Sequence, residues 1–419
     1  MNRNELFPDG SKIDNWFYEE KKPALSDFEN RYIITDFGVK DDGNVYTEVF
    51  QSVIDKAALS GGVVIVPKGE YITGALFFKD GVSLYIEEGA TLKGSDDISD
   101  YPVMDTRIEG ESCVYYPALI NADNTSGFRI FGKGTIDGNG LRSWKAFWQR
   151  RLWNPDCTNK DEQRPRLVYV SNSSDVIISG VNLKNSHFWT THIYKCNHVL
   201  ICDCTIISPR NPVKAPSTDA IDVDVCTDVL IKGCYFDVND DGVALKGGKG
   251  PWADTLEENG MNERIIIEDC TFKFCHGCLT CGSEAIHNKN IIVRNSVLDG
   301  PATLLWLKMR MDTPQHYEYI RIENVSGFSD RMLSLYNWNQ FFDLKGREDI
   351  PMSYADHIEF ADCNLKCKNY FDMTKNDECY KVSDVTFINL NIETAKDNYE
   401  DGIIDNLYVV NSNISKQEE

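Results

Sequence analysis

Two short acidic segments contain the residues with the clearest potential for chemistry. Residues 217–222 carry Asp219, and residues 239–246 carry Asp240 and Asp241 side by side. Carboxyl groups crowded at one site raise the pKa of at least one member, which provides an acid and a base at the same pH. Cleavage of a glycosidic bond by water requires such a pair, because one group protonates the leaving oxygen and the other activates water or attacks.

The spacing of the two segments matches a repeat that runs through most of the chain. A β-branched triplet, a polar turn and a second short strand recur, with triplets at residues 176–178, 199–201, 229–231, 265–267 and 291–293 and weaker copies near residues 320, 358, 385 and 407. Such units bury their apolar faces against their neighbours and stack into a solenoid. Asp219 and Asp241, 22 positions apart, would then lie about one strand spacing, ~4.8 Å, from each other.

These repeats predict an all-β chain folded as a right-handed parallel β-helix. The period is too long for a nine-residue calcium-binding roll and mostly too short for a propeller blade, and the leucine-rich pattern is missing. Residues 47–58 predict one helix that caps the N-terminal end, with Thr47 as its N-cap, and no second helix is expected. Asn or Asp before the triplets, at Asp175, Asn197, Asp228 and Asn290, predicts a turn at each corner.

The domain organisation follows from the extent of the repeats. Residues 1–30 show no usable period and are predicted to form an arm packed on the domain, and residues 31–419 are predicted to form a single β-helix domain. There is no apolar run of the roughly 18 residues that a membrane helix needs. The first residues lack the apolar core of a secretory signal, so we expect a cytoplasmic protein unless a leader has been removed.

Charge and cysteine content narrow the possible partners. The formal net charge of −22 argues against nucleic acid as a partner, and an acidic polysaccharide would have to be held by a few local cations. Cys275, Cys278 and Cys281 have a spacing that metal sites use, but no partner pair follows, and their alternation with apolar residues favours core packing.

Further polar residues continue the acidic column on the following turns. His276 falls one turn beyond Asp240 and Asp241, and residues 306–310 one turn beyond His276. An Asp-Asp-Gly is often only a turn, and clustered carboxylates on a β-helix can bind calcium. The one-turn offset, extended by His276 and Lys308, favours a functional site over these structural interpretations.

The chain resembles the polygalacturonase family of glycoside hydrolases, family 28, from residue 33 onward. The resemblance is carried by residues 132–140 (GKGTIDGNG), 164–170 (RPRLVYV) and 185–192 (NSHFWTTH). The family's Asn-Thr-Asp appears as residues 217–219, its Asp-Asp as residues 240–241 and its Gly-His-Gly as residues 275–277. The resemblance implies a parallel β-helix enzyme that hydrolyses α-galacturonosyl linkages of pectin.

Position by position, the resemblance also implies roles for the acidic column. Asp240 would be the general acid, Asp219 and Asp241 would hold and activate water with inversion at the anomeric carbon, and His276 would tune or orient the carboxylates. Lys308 matches the Lys of the family's Arg-Ile-Lys, which binds a substrate carboxylate. No metal and no cofactor is expected, and the expected partner is a galacturonic acid-containing oligo- or polysaccharide.

One departure from the family concerns the substrate. Trp306 replaces the Arg of Arg-Ile-Lys and offers a stacking face instead of a bidentate contact. Arg310, two residues after Lys308, is expected on the same side of the strand, and Lys246 is a further candidate for substrate binding. The sugar at this subsite could therefore be neutral, as rhamnose is in rhamnogalacturonan.

Two other functions stay open at this point. A pectate-lyase-type β-elimination would need a calcium cage and a basic residue, and a non-catalytic carbohydrate-binding β-helix would make the aligned polar column coincidental. The sequence leaves open endo or exo attack, the exact linkage and the oligomeric state.

Overall fold

The chain winds into a stack of short parallel strands, and the computed structural model describes residues 3–19, 22–396, 399 and 401–417. This part contains two α-helices, α1 (Thr47–Ala58) and α2 (Leu141–Trp153). Short 3-10 turns lie at Arg3–Glu5, Asn15–Tyr18, Leu25–Asp27, Ile34–Phe37, Ile98–Asp100, Asn159–Asp161 and Ala253–Thr255. None of the helices described has the length and apolar character needed to cross a membrane.

The strands are numbered in chain order. The first group is β1 (Arg31–Ile33), β2 (Gly62–Val66), β3 (Gly69–Thr73), β4 (Leu76–Phe78), β5 (Val82–Ile86), β6 (Ala90–Gly94), β7 (Met104–Ile108), β8 (Glu111–Tyr115), β9 (Ile120–Asp123), β10 (Arg129–Gly132), β11 (Thr135–Asp137), β12 (Val168–Ser171), β13 (Ser174–Ser179), β14 (Asn182–Lys184), β15 (Thr191–Tyr194), β16 (Asn197–Cys202) and β17 (Thr205–Ile207). The second group is β18 (Ile221–Asp224), β19 (Thr227–Lys232), β20 (Tyr235–Asp237), β21 (Val243–Lys246), β22 (Met261–Glu268), β23 (Thr271–Phe274), β24 (Gly277–Cys281), β25 (His287–Arg294), β26 (Val297–Asp299), β27 (Thr303–Arg310), β28 (His316–Glu323), β29 (Ser326–Trp338), β30 (Ser353–Ala361), β31 (Asn364–Met373), β32 (Tyr380–Ile388), β33 (Asn391–Lys396), β34 (Ile404–Val410) and β35 (Asn413–Lys416).

Three ladders of parallel strands run along the solenoid. The first contains β1, β2, β5, β10, β13, β16, β19, β22, β25, β28, β30, β32 and β34. The second contains β3, β6, β11, β14, β17, β20, β23, β26, β29, β31, β33 and β35, and the third contains β4, β9, β12, β15, β18, β21, β24, β27 and β29. The long strand β29 joins the second and third ladders, since it pairs with both β26 and β27. The strands β7 and β8 form an antiparallel hairpin outside the ladders.

The β-branched triplets form the first ladder in the register that the repeat predicts. Val176 pairs with Val199 and Val199 with Val229, and the alignment continues to Ile265 and Ile291. All five side chains are buried. Because burial of such a side chain contributes about 1.5–3 kcal/mol, a slip that turned them outward would be costly. The repeat therefore fixes the register of the whole stack.

The corner before each triplet is held by a residue in the left-handed conformation. Asp175, Asp228 and Asn290 have φ values of 53°, 57° and 57°, as their types favour. In the second unit the prediction was wrong by one residue. His198, with φ 53°, occupies the corner, because Asn197 already pairs with Ser174 in the ladder.

The N-terminal segment lies on the outer surface of the first ladder. Phe7, Ile13 and Phe17 are buried there. They pack on the outward-facing middle residues of the triplets, which are Ile177, Leu200, Leu230, Ile266 and Ile292. A domain boundary at residue 31 stays a prediction.

Helix α1 covers the predicted residues and caps the stack by burying Phe50, Val53 and Ile54. The N-cap prediction was wrong. Tyr46 precedes the helix, and the Thr47 hydroxyl instead accepts a hydrogen bond from the Gly74 N–H at 2.6 Å.

The absence of a second helix was also predicted wrongly, because α2 spans thirteen residues. Its sequence, LRSWKAFWQRRLW, has aromatic and arginine residues and lacks the stripe of aliphatic residues from which an amphipathic helix is usually recognised. The helix is held by contacts of that kind: the guanidinium carbons of Arg151 and Arg164 lie 4.5 and 4.3 Å from the centre of the Phe147 ring.

The fourteen cysteines are all free, and all except Cys113 are buried. Cys275, Cys278 and Cys281 lie in the main apolar core, where the sulfur atoms of the first two are 3.9 Å apart. The prediction of core packing for this cluster is confirmed.

Candidate active site

A cavity of about 300 Å³ lies over the third ladder, where β18, β21, β24 and β27 run side by side. Its walls come from α2, from the tip of the β7–β8 hairpin and from the segment after β29. Six of the eight candidate residues from the sequence line it: Asp219, Asp240, Asp241, Lys246, His276 and Lys308. The fold therefore brings together residues that are up to 89 positions apart in the chain.

Strand register places Asp219 and Asp241 on adjacent turns. Each precedes its strand by two residues, and those strands, β18 and β21, pair through Ile221 and Val243. The Ala220 N–H donates a hydrogen bond to the Asp241 carbonyl at 2.9 Å. The offset of one turn is thus present in the fold, and it directs both carboxylates to the same cavity.

Asp219 is the carboxyl group that most favours its neutral form. Burial raises its pKa well above the usual value, and the nearby carboxylates of Asp240 and Asp222 raise it further. The Lys246 ammonium lies 3.8 Å from Asp219 Oδ2 and only partly offsets these effects. Asp219 consequently retains a proton over a wider pH range than an exposed aspartate does.

Asp240 has the opposite electrostatic environment because His276 lies against it. The imidazole Nδ1 of His276 is 3.2 Å from Asp240 Oδ1. The backbone N–H of His276 also donates a hydrogen bond to the backbone carbonyl of Asp240 at 2.8 Å. Burial favours a higher pKa for Asp240, but His276, Lys308 and Lys246 outweigh it and hold that pKa well below its usual range. For His276, burial favours a lower pKa, and Asp240 outweighs it so that the pKa is raised. The empty site thus pairs an imidazolium with a carboxylate.

Asp241 is paired with Lys308 at the floor of the cavity. The ammonium nitrogen lies 2.7 Å from Asp241 Oδ2, and both side chains are buried. Burial opposes the charge on Lys308, but Asp241 and Asp240 raise its pKa above the usual value. The other oxygen, Asp241 Oδ1, accepts no hydrogen bond from any residue that the structure describes. It is therefore the free acceptor of this pair.

Lys246 lies among three acidic side chains. Its ammonium nitrogen is 3.3 Å from Glu284 Oε2, 3.6 Å from Asp222 Oδ1 and 3.8 Å from Asp219 Oδ2. Burial favours a lower pKa for Lys246, and these acids outweigh it and raise that pKa well above the usual value. The lysine is therefore charged, and it compensates the negative charge on one side of the cavity.

Two of these acids were missed in the sequence. Asp222 is fully buried, its pKa is raised chiefly by burial, and neither oxygen accepts a hydrogen bond from another described residue. Asp222 could have been identified from the alternation along β18, in which Ile221 and Val223 point inward and Asp222 points outward. Glu284 lies in a turn and had no such signal. Although burial favours a higher pKa for Glu284, Lys246 and Arg310 hold that pKa well below its usual range.

The comparisons with known proteins agree with this arrangement. The model of glycosyl hydrolases family 28 matches residues 62–325. The chain belongs to this family. It is 34% identical over 245 residues to a probable polygalacturonase of Vitis vinifera, with 56% of this chain and 47% of that protein aligned. It is 28% identical over 310 residues to an exo-poly-alpha-D-galacturonosidase of Dickeya chrysanthemi, with 63% and 50% aligned. The alignment thus spans about half the length of these two relatives.

Solved structures agree on the fold of this family 28 chain. An exopolygalacturonase from Thermotoga maritima superimposes with a TM-score of 0.69 at 21% identity, covering 90% of this chain and 89% of that one. A polygalacturonase from Erwinia carotovora gives 0.64 at 20% identity, covering 96% and 99%. The predicted right-handed parallel β-helix is confirmed.

Two candidates for substrate binding lie outside the cavity of the family 28 fold. Arg310 is buried and forms a bidentate pair with Asp312 at 2.6 and 2.7 Å, and it also donates to the Gln340 carbonyl. Trp306 does not line the cavity, and its indole N–H finds no acceptor among the described residues. Trp338, whose ring centre lies 5.8 Å from that of Trp306, lines the cavity instead.

Proposed function

We propose that this family 28 protein hydrolyses an α-galacturonosyl linkage of pectin with inversion. The proposal is supported above all by three carboxyl groups on adjacent turns, Asp219, Asp240 and Asp241, whose surroundings drive the pKa values of Asp219 and Asp240 apart. Because of this separation, equivalent carboxyl groups in the cavity hold protons differently. Before substrate binds, the proton is on Asp219 and the charge on Asp240, so the roles proposed below require the protons to redistribute on binding. The names of the relatives, which are polygalacturonases, point to the same reaction.

The proposed mechanism begins with the proton between His276 and Asp240. When a substrate excludes water, the proton on Nδ1 moves to Asp240, which passes it to the leaving glycosidic oxygen. Loss of the anion on Asp240 removes one of the groups that raise the pKa of Asp219. Asp219 can then release its own proton to solvent before attack, and the resulting carboxylate accepts a proton from the attacking water. Asp241 Oδ1, which has no other donor among the described residues, orients that water.

Recognition of a uronate fits the local charge of the cavity. The whole chain carries −22, yet four lysine and arginine side chains line this cavity: Arg151, Lys214, Lys246 and Lys308. A galacturonate carboxylate entering the site can pair with them although the overall field repels it. Recognition by a few local cations is what the sequence predicts for an acidic substrate.

We further propose that cleavage occurs at a chain end, because one side of the cavity is closed. Glu109 lines the cavity at the tip of the β7–β8 hairpin. At Gly110 an added Cβ would lie 2.8 Å from the Glu284 Cβ, so the tip packs directly on that turn. Glu111 pairs with Lys160 at 3.0 Å and Lys345 at 3.3 Å, which links the hairpin to the loops after α2 and after β29. A polymer cannot extend through this rim.

The hairpin is fixed, and does not act as a mobile lid, because its base is anchored by a buried ion pair. The Arg107 guanidinium makes a bidentate contact with Asp224 at 2.7 and 3.1 Å, and it also donates to Asn259 at 2.9 Å. Arg107 holds the pKa of the Asp224 carboxyl at about 2 against the effect of burial. Charge-assisted pairs of this geometry are among the stronger hydrogen bonds in proteins.

The two alternative functions fit this cavity less well. A lyase would need calcium, which takes six to eight oxygen ligands, but Lys308 already neutralises Asp241 and Lys246 lies among the remaining acids. A binding protein would carry the cost of several buried carboxylates without using their chemistry.

Product analysis on oligogalacturonides of defined length tests both proposals. We expect monomer as the first product, the inverted anomer by NMR, and no near-ultraviolet absorption from an unsaturated sugar. An unsaturated product would contradict hydrolysis. Hydrolysis to mixed lengths from the start would contradict only the chain-end proposal.

A variant with the hairpin tip shortened at residues 109–111 sharpens the chain-end test. We expect longer products to appear, because the rim is opened while the carboxylates keep their places. Lys345→Met, which removes one exposed ion pair of the rim, is the matched control and should still release monomer. If the shortened variant gives the same monomer profile as the wild type, the hairpin does not set the mode of attack.

A second candidate substrate is rhamnogalacturonan, for one specific reason. Trp306 stands where the family has Arg, and Arg310 does not replace it because it is paired with Asp312. Only Lys308 of that motif remains in the cavity. Parallel assays on homogalacturonan and rhamnogalacturonan oligosaccharides of equal length decide between them, and a preference for homogalacturonan would reject the argument from the missing Arg.

A further inference from the structure

A second column of histidines and carboxylates lies on the outer face of the first ladder, outside the cavity. His287 on β25 is paired in register with His316 on β28. Two residues further along these strands, Glu318 on β28 is in register with Asp356 on β30. Because residues two apart in a strand point to the same face, all four side chains project outward from three successive turns.

Three of the four side chains converge on one point, and the fourth, Asp356, lies against His316. His287 Nε2 lies 2.9 Å from Glu318 Oε1, and His316 Nε2 lies 2.7 Å from Asp356 Oδ2 and 4.0 Å from Glu318 Oε2. One ligand atom each from His287, His316 and Glu318 fall within 4.8 Å of one another. The two imidazole rings are nearly parallel, with centres 5.2 Å apart.

We infer that this column is a binding site for a divalent transition-metal ion of the Zn²⁺ class, ligated by His287, His316, Glu318 and Asp356. Two imidazole nitrogens with carboxylate oxygens form a ligand set that suits Zn²⁺, whereas Ca²⁺ and Mg²⁺ prefer oxygen alone. The inference is independent of the proposed hydrolase activity.

The surroundings support a metal in two ways. Asp356 Oδ1 is held by the neighbouring His357 Nδ1 at 2.5 Å, an outer contact of the kind that orients ligating carboxylates. Lys289 is in register with Glu318 on the neighbouring strand, and its ammonium lies 4.0 Å from the Asp9 carboxylate in the N-terminal segment. Among the described residues the ion-pair contacts of Glu318 and Asp356 are thus all to histidines, and a metal ion binds neutral imidazole and carboxylate groups together.

The site can adjust to the short bonds that a metal requires. Zinc–nitrogen bonds are about 2.0–2.1 Å, so the ligand atoms must move closer together than they are in the empty column. The side chains of His287 and His316 are 34% and 37% exposed, and exposed rings can tilt without disturbing the core. A bound ion would then link three turns of the solenoid.

Titration of the full chain with ZnCl₂, followed by calorimetry and melting temperature, tests this inference. We expect one ion per chain, a raised melting temperature, and at least tenfold weaker binding in the His287→Gln/His316→Gln variant. His198→Gln removes a histidine elsewhere on the first ladder and should bind as the wild type does. CaCl₂ should produce neither effect.

Cobalt provides a readout that does not depend on how well the double variant folds. Co²⁺ bound by nitrogen and oxygen ligands should give visible absorption bands in the wild type, and these bands should weaken in Glu318→Gln. Absence of saturable Zn²⁺ binding in the wild type, or equal binding by the double variant, would overturn the inference and leave the column as an ion-pair ladder.

Discussion

The cavity and the outer column are built from the same kinds of residue on adjacent turns, but they differ in burial and in lysine. The cavity buries Asp219 and Asp241 together with two charged lysines, Lys246 and Lys308, and leaves Asp240 partly exposed. The outer column leaves all four of its side chains partly exposed, and no lysine among the described residues is paired with its carboxylates. A register column alone therefore does not determine chemistry. In the cavity, burial makes the pKa values of acids on adjacent turns differ. In the outer column, partial exposure leaves side chains that can move to bind a metal ion.

The largest expected difference between the two regions is the response to loss of one carboxylate. Asp240→Asn should lower kcat by at least about a hundredfold, because general acid catalysis contributes about 10²–10⁴. The variant should still fold, since the side-chain size is kept, and its melting temperature should fall only by the contribution of the ion pair with His276. Glu318→Gln, the matched change in the outer column, should keep kcat within about twofold. Comparable losses in the two variants would contradict the assignment of catalysis to the cavity.

The next effect concerns the lysines. Lys308→Met should lower kcat/KM by about ten- to a hundredfold, which corresponds to about 1.5–3 kcal/mol for a hydrogen bond to a charged group. Steady-state kinetics on an oligogalacturonide measures this loss. Lys289→Met on the outer face should leave kcat/KM unchanged. If Lys308→Met changes KM for neutral and uronate substrates equally, its proposed role in carboxylate binding is wrong.

The smallest expected effect is a difference in pH dependence. The pKa of His276 is raised from 6.5 in the folded protein, so its contribution to stability is complete below that pH and is lost as the pH rises through the raised value. The pKa of Asp240 is lowered from 3.8, so its contribution is complete above that pH and is lost on acidification. His276→Gln should therefore reduce the melting temperature more at pH 6 than at pH 9.

The activity profile provides a second measurement of the same pair. We expect the wild-type rate to fall at alkaline pH, above 6.5, where the proton shared with Asp240 is lost. His276→Gln should move that alkaline limb to lower pH, because Asp240 must then hold the proton alone, whereas His316→Gln should leave the limb in place. An unchanged limb in His276→Gln would show that another group supplies the proton.

Much of the fold could be predicted because it depends on a short sequence pattern, the β-branched triplet, that repeats along the chain. The triplets that begin at Val176, Val199 and Val229 each repeat the same buried face, so the register and the offset between Asp219 and Asp241 follow from counting. Helix α2 could not be predicted in this way. Its stability comes from aromatic and arginine contacts with distant loops, such as that of Arg164 with Phe147, and not from an aliphatic stripe of its own.

The site was predictable where the repeat spacing and the family motifs placed a residue, as they did for Asp219, Asp241 and His276. Arg310 lies two residues after Lys308 and was therefore expected to face the cavity. Its guanidinium instead pairs with Asp312 and donates to the backbone of the loop after β29. Glu284 enters the cavity from a turn, which has no period to count. The positions of such residues depend on loop conformations, which are determined by contacts between residues far apart in the chain.

Because Arg107 and Asp224 anchor the β7–β8 hairpin at its base, the tip of the hairpin can change without moving the carboxylates. Substrate access and catalysis can then evolve independently. The carboxylates directly precede ladder strands, whereas the rim is a hairpin, β7–β8, that the ladders do not need for pairing. Insertions or deletions at residues 109–111 would change which part of a polymer can enter, at little risk to the core. One catalytic floor can in this way give rise to descendants that trim chain ends and others that cut within chains.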